Sequence, residues 1–121
     1  MGVVVLGLVL GTSAVAAATT SGEVLYRRYC ASCHGTTGAG DGPAAESLSP
    51  RPTDLRRLAS AVPALMQAID GRQPIRAHGS PAMPVWGHVL EEALEGRPHR
   101  GRTALHEVRV LAEYVRSLQQ R

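Results

Sequence analysis

The chain has 121 residues and a formal charge of +3, with 13 basic side chains, all arginine, against 10 acidic ones. That length sets one domain as the expectation, and one Trp, three Tyr and no Phe leave few large side chains from which to build a core. No basic stretch is interleaved with aromatics, so the mild positive balance gives no footing for nucleic acid, and no nucleic-acid partner is expected.

Residues 1–18 carry an apolar run, Val3 to Leu10, then small residues ending in Ala16-Ala17-Ala18. This reads as a secretory signal cleaved near Ala18, leaving a mature domain over 19–121. No Lys or Arg precedes Arg27, which departs from the usual charged start of such a signal. The competing reading is an uncleaved N-terminal anchor, which reaches the lower limit of a spanning helix only if Ala14 to Ala18 are counted. Both readings place the domain in the periplasm or elsewhere outside the cytoplasm, the second of them tied to the membrane.

Thr20-Ser21-Gly22-Glu23 matches a capping box and predicts a helix start near Thr20. Val24, Leu25, Tyr26 and Tyr29 supply its apolar side chains. The helix runs into Cys30-Ala31-Ser32-Cys33-His34, which contains both cysteines of the chain. C-x-x-C-H is the attachment pattern of a c-type haem: two thiols add to the vinyl groups, and the adjacent histidine lies under the iron. Three other readings use the same residues: a redox dithiol, a structural disulfide and half of a zinc site. A zinc site needs further ligand pairs, and a redox dithiol belongs after a strand in a βαβ pattern; the chain has neither. A haem also offers the flat apolar surface that this composition lacks, which fits a cofactor-centred core. Without its haem the chain is expected to be largely unfolded.

Gly35 to Pro43 holds four glycines and reads as a loop. A short helix is predicted over 43–48, with Pro43 at its first position. Ser49 to Thr53 is an extended connector, since each Pro disfavours helix in the residue before it. Thr53 or Ser60 can cap the next helix, where Val62, Leu65, Met66 and Ile69 fall at helical spacing and Gly71 is the stop. From Gly71 to Gly87 three prolines and a further glycine predict a long functional loop. Val89 to Leu94 reads as a short helix, and Glu95 to Arg102 as a polar, basic insertion. The last helix is predicted over 103–119, with Leu105, Val108, Leu111, Ala112, Val115 and Leu118 on one face. No strand alternation occurs, so the fold class is all-α, with about three to five helices.

The second axial position is assigned to Met83, in Met83-Pro84-Val85-Trp86-Gly87, because a thioether is a soft donor and the loop is long enough to cross the haem. Packing is the usual role of a methionine, and Met66, on an apolar helix face, reads that way. His78 and His88 flank Met83 and are the other candidates; His99 and His106 read as solvated. Arg72 and Arg76 lead into the loop and are candidates to steer an acidic partner.

Cys30 to Gly35, Gly38-x-Gly40-Asp41-Gly42-Pro43, Arg51-Pro52-x-Asp54-Leu55 and Met83-Pro84-x-Trp86-Gly87 together resemble a class I c-type cytochrome. The resemblance spans Gly22 to Leu118. It implies the small class I fold wrapped round one covalent haem c, with Cys30 and Cys33 as thioether residues and His34 and Met83 as iron ligands. It also implies that the Pro43 carbonyl accepts from Nδ1 of His34, that Trp86 lies by the haem, and that Gly22 and Tyr26 cross the last helix near Tyr114. The Glu95–Arg102 segment departs from the family pattern.

A His/Met haem has no open position for a substrate, and neither a nucleotide loop nor a cluster of carboxylates is present. The expected function is one-electron transfer rather than enzymatic catalysis. The chain would act as a soluble periplasmic carrier or as a subunit of an oxidoreductase or respiratory complex. Its partners would be redox proteins, with a membrane complex or an N-terminal anchor left open. The alternative is a haem enzyme or gas-binding sensor with an open distal site.

Overall fold

The computed structural model describes residues 22–72, 83–96 and 103–119. Outside the described residues lie the signal or anchor over 1–18, the cap at Thr20, Arg76, His78 and His99. Most of the Glu95–Arg102 insertion and most of the Gly71–Gly87 loop lie outside them as well. Five α-helices follow in order, with no strand among the described residues. They are α1, described over 22–29, α2 (Ala31–His34), α3 (Val62–Asp70), α4 (Trp86–Leu94) and α5 (Ala104–Leu118). Short 3-10 turns at Ala45–Ser47 and Leu55–Arg57 sit between α2 and α3. None of these helices is long and apolar enough to cross a membrane.

The last helix organises the rest. Thr103 caps α5, its side chain accepting from the His106 N–H at 3.2 Å. Val108, Leu111, Ala112, Val115 and Leu118 are all buried, as the periodicity predicts. Leu105 is not: it is 61% exposed, and Ala104 takes the buried place one residue earlier. The inward stripe steps from 104 to 108 and on to 111 and 115, and residue 105 is turned about 100° away from it.

α1 crosses α5 at a glycine. A Cβ on Gly22 would stand 2.8 Å from Tyr114 Cβ and 2.8 Å from the Val110 carbonyl oxygen, so only hydrogen fits there. Tyr26, fully buried, lays its ring against Tyr114 at 5.2 Å between centroids. Leu65 and Ile69 of α3 and Leu90 of α4 complete the same core.

Three local expectations are corrected. Neither Thr53 nor Ser60 caps α3, which begins after Ala61 with Pro63 in its first turn and no side-chain cap. Pro already fixes φ there and lacks an N–H to be capped. Asp54 instead caps the 3-10 turn at Leu55–Arg57, accepting from the Arg56 N–H at 3.1 Å. The helix expected over 43–48 is a 3-10 turn of three residues, and α4 begins at Trp86 rather than Val89. Gly71 ends α3 as predicted, at φ +70° with its N–H on the Gln67 carbonyl.

Candidate functional site

α1 delivers the chain to Cys30, whose N–H bonds the Tyr26 carbonyl at 2.8 Å, and Ala31–His34 then form one tight turn. Such a turn leaves its carbonyls without partners. The glycine loop satisfies them in sequence. Gly35 donates to Ala31, Ala44 to Ser32, Gly42 to Cys33 and Gly40 to His34, at 2.8–3.1 Å. Gly42 must be glycine, because a Cβ would run into the Ser32 carbonyl oxygen and stand 2.7 Å from that of Ala31. At Gly40, φ is +80° and a Cβ would strike the Pro52 carbonyl. The loop is held in turn by the Tyr26 hydroxyl, which donates to the Gly35 carbonyl at 2.7 Å, and by the Leu55 N–H on the Gly38 carbonyl at 2.7 Å. Tyr26 is thus both core and site. Its pairing with Gly35 was not visible in the sequence, where a single tyrosine on an apolar helix face carries no such signal.

His34 is half-buried, with Nδ1 3.0 Å from the Thr53 carbonyl oxygen. A carbonyl can only accept, so the proton sits on Nδ1, and the Nε2 lone pair remains for a metal. Burial lowers the His34 pKa, opposed by the bond to Thr53. The neutral imidazole, the form that ligates, is therefore favoured. The acceptor is Thr53, not Pro43 as the resemblance implied. Gly42 and Ala44 donate to the Cys33 and Ser32 carbonyls, which ties Pro43 to α2 through its two neighbours, while Thr53 of the 51–55 segment reaches the ring. The signal that could have found Thr53 is Arg51-Pro52-Thr53-Asp54, an extended strap whose free carbonyls precede a capped turn.

Cys30 is buried and Cys33 half-buried. Burial, with a smaller push from Cys33, drives the Cys30 thiol up to about 12. Thiol–disulfide exchange proceeds through the thiolate, so this environment opposes a redox dithiol. The residues fit a covalently held haem: two cysteines and a histidine on one turn, the ring oriented by a carbonyl, and a free Nε2. Such orientation of the ring is the usual support for a metal-ligating histidine.

Met83 lies three residues before α4 and is 38% exposed, while Met66 is half-buried and packs against the core. Trp86 opens α4, and its ring meets Tyr29 at 5.5 Å between centroids. Tyr29 immediately precedes Cys30, so this aromatic pair joins the start of α4 to the cysteine turn. His88 and His106 are exposed. Arg72 is not a free docking charge, because Asp70 and Glu91 both hold it.

None of the curated proteins and none of the solved structures compared with this chain matches it significantly. A family model described as cytochrome c oxidase, cbb3-type, subunit III, matches residues 17–95, a span that takes in the cysteine turn, the glycine loop and α4 but ends before α5. The chain belongs to that family of c-type cytochromes, whose domains carry covalently attached haem c.

Proposed function

We propose that this protein transfers single electrons through one haem c held by Cys30 and Cys33 and ligated by His34 and Met83. When bound, the haem supplies an iron couple that gains and loses one electron. The observation that carries the reading is His34. Its Nδ1 is engaged by Thr53 at 3.0 Å, and its Nε2 is left available beside two cysteines on the same turn. Cys30 and Cys33 fix the ring system, and Thr53 fixes the plane of the imidazole. Met83 is the sixth ligand by position: it stands free of the core, just ahead of a helix that Trp86 ties to the residue before Cys30. Met83, Val85 and Val89, all exposed, supply apolar surface on that approach, which a haem face would cover. Trp86 borders the same region.

With His34 and Met83 both holding the group, these residues would serve electron transfer rather than substrate turnover. The family description assigns its members to an oxidase as a subunit. By extension the chain works outside the cytoplasm and exchanges electrons with redox partners of a membrane complex.

The test is a visible spectrum and redox titration of protein matured in a periplasm competent for haem attachment. Wild type and Met66→Leu should be low-spin with a thioether-to-iron charge-transfer band. Met83→Ala should lose the band and fall in potential, because the soft donor is gone. A high-spin wild type would instead support an enzyme or gas sensor with an open distal side. A haem stain lost only when both cysteines are replaced would support covalent attachment.

A further inference from the structure

The chain leaves α3 at Gly71 and is back against it at Val85: a Cβ on Gly71 would stand 3.3 Å from Val85 Cα. Arg72 fastens the two ends. Its Nε donates to both Asp70 oxygens at 2.9 and 3.1 Å, and its Nη2 lies 2.8 Å from Oδ1. Its Nη1 reaches across to Glu91 Oε2 at 3.3 Å. Asp70 is the last residue of α3 and Glu91 belongs to α4, so one guanidinium joins two helices. The junction lies directly over Gly87. A Cβ there would meet the Asp70 carboxylate and stand 2.7 Å from Arg72 Nε. The same guanidinium holds the Asp70 carboxyl below the usual carboxylate range. The pairs Arg27–Glu23 and Arg109–Glu113 are different in kind, since each joins residues four apart in a single helix.

We propose that Asp70, Arg72 and Glu91, seated over Gly87, form a clasp that positions Met83 at the iron; the role at the iron rests on the His34/Met83 ligation proposed above. The His88 and Val89 N–H groups bond the Val85 carbonyl at 3.1 and 3.4 Å, so Val85 moves with the first turn of α4. Met83 lies two residues ahead of Val85. A shift of α4 away from α3 therefore carries the thioether with it. Methionine ligation favours ferrous iron, so the ferric protein is the state in which this bond gives way first.

The test uses the full chain with haem attached, in the variants Arg72→Gln and Gly87→Ala, with Arg109→Gln as a control. In the ferric protein, imidazole displaces the sixth ligand, and loss of the charge-transfer band gives the rate. Arg72→Gln should speed that displacement roughly threefold to fivefold, the range open to a partly exposed bidentate pair. Arg109→Gln removes a pair of the same chemistry and should leave the rate at the wild-type value. Gly87→Ala decides by its sign. Alanine strengthens a helix relative to glycine, which alone would slow displacement, whereas expulsion of the Asp70 carboxylate should speed it. Amide hydrogen exchange at His88 and Val89 should accelerate in both clasp variants. A wild-type displacement rate in Arg72→Gln, an equal gain in Arg109→Gln, or a slower Gly87→Ala would overturn the proposal. If Met83→Ala kept the charge-transfer band, the ligand assignment would fall. If His88 and Val89 exchanged at wild-type rates in Arg72→Gln, the clasp itself would fall, so the two failures are distinguishable.

Discussion

Gly42→Ala should damage this protein far more than one methyl group suggests. Gly42 does not need a left-handed backbone, since the positive-φ glycines are Gly35, Gly38, Gly40, Gly71 and Gly96. Its constraint is steric alone. The added Cβ would collide with the Ser32 carbonyl oxygen and stand 2.7 Å from both the Ala31 oxygen and the Cys33 carbonyl carbon. All three are backbone atoms of the cysteine turn, so no side chain can swing aside. Relief requires the loop to lift, which stretches the Gly42-to-Cys33 and Ala44-to-Ser32 hydrogen bonds of 3.1 and 2.9 Å. Overpacking costs about 1–3 kcal/mol, and each weakened bond up to about 1 kcal/mol more. The expected loss is therefore about 1–5 kcal/mol. Gly96→Ala is the comparison: φ is +67° but nothing lies within 4 Å, so only the left-handed penalty of about 1 kcal/mol applies. Urea unfolding of the haem-loaded proteins by circular dichroism measures both, and a haem stain reads attachment yield, which Gly42→Ala should also lower. If Gly42→Ala cost no more than Gly96→Ala, the view that the loop is clamped on the carbonyls of α2 would be wrong.

Thr103→Ala removes the side-chain acceptor for the His106 N–H and should cost about 1 kcal/mol in urea unfolding; an unchanged midpoint would refute the cap. Tyr26→Phe deletes the buried hydroxyl that donates to Gly35 at 2.7 Å. It should lower stability by about 1 kcal/mol while leaving the helical signal intact. Asp54, bonded by Arg56 with Arg57 close by, has its carboxyl lowered to about 2. A depressed carboxylate contributes stability that is present above its unfolded value of about 3.9 and is lost as pH falls through its folded one. Urea midpoints should therefore drop for wild type between about pH 4 and pH 2, and less steeply for Asp54→Asn; parallel curves would remove Asp54 from the acid limb.

The legible parts of the molecule were those set by local chemistry. The cysteine turn, the stop at Gly71 and the span of α5 follow from spacing, a glycine in the left-handed region and a capped apolar stripe. The close crossing of α1 and α5 at Gly22, expected from the family resemblance, is also present. What escaped was tertiary. Three prolines stand within a few residues of each other in the connector and the loop before it, and nothing local says which stretch crosses His34. The fold routes the 51–55 strap there and puts Thr53 at the ring. Leu105 was misplaced because a single residue at the start of a helix has only one flank from which to judge its face. Arg72 looked like a free charge because its second partner, Glu91, lies 19 residues away in sequence.

Scarce aromatics point to a core that draws on the haem, and the buried side chains show what the protein contributes of its own. Leu25 and Tyr26, Leu65 and Ile69, and Leu90 all converge on α5, and the same core takes in Cys30 and Ala31 of the cysteine turn, while His34 and Met83 lie outside it. The site hangs on the core through specific ties: Tyr26 to Gly35, Tyr29 to Trp86, Thr53 to His34, and Arg72 across α3 and α4. Of the five exposed large apolar side chains among the described residues, Met83, Val85 and Val89 lie together where those ties end, while Val24 and Leu105 stand apart on α1 and α5. Contacts among α1, α3 and α5 are made by the protein itself. The approach to α4 is the part with apolar surface still to be covered. Loss of haem therefore bears on the Met83 approach and, through Cys30, on the α5 core itself.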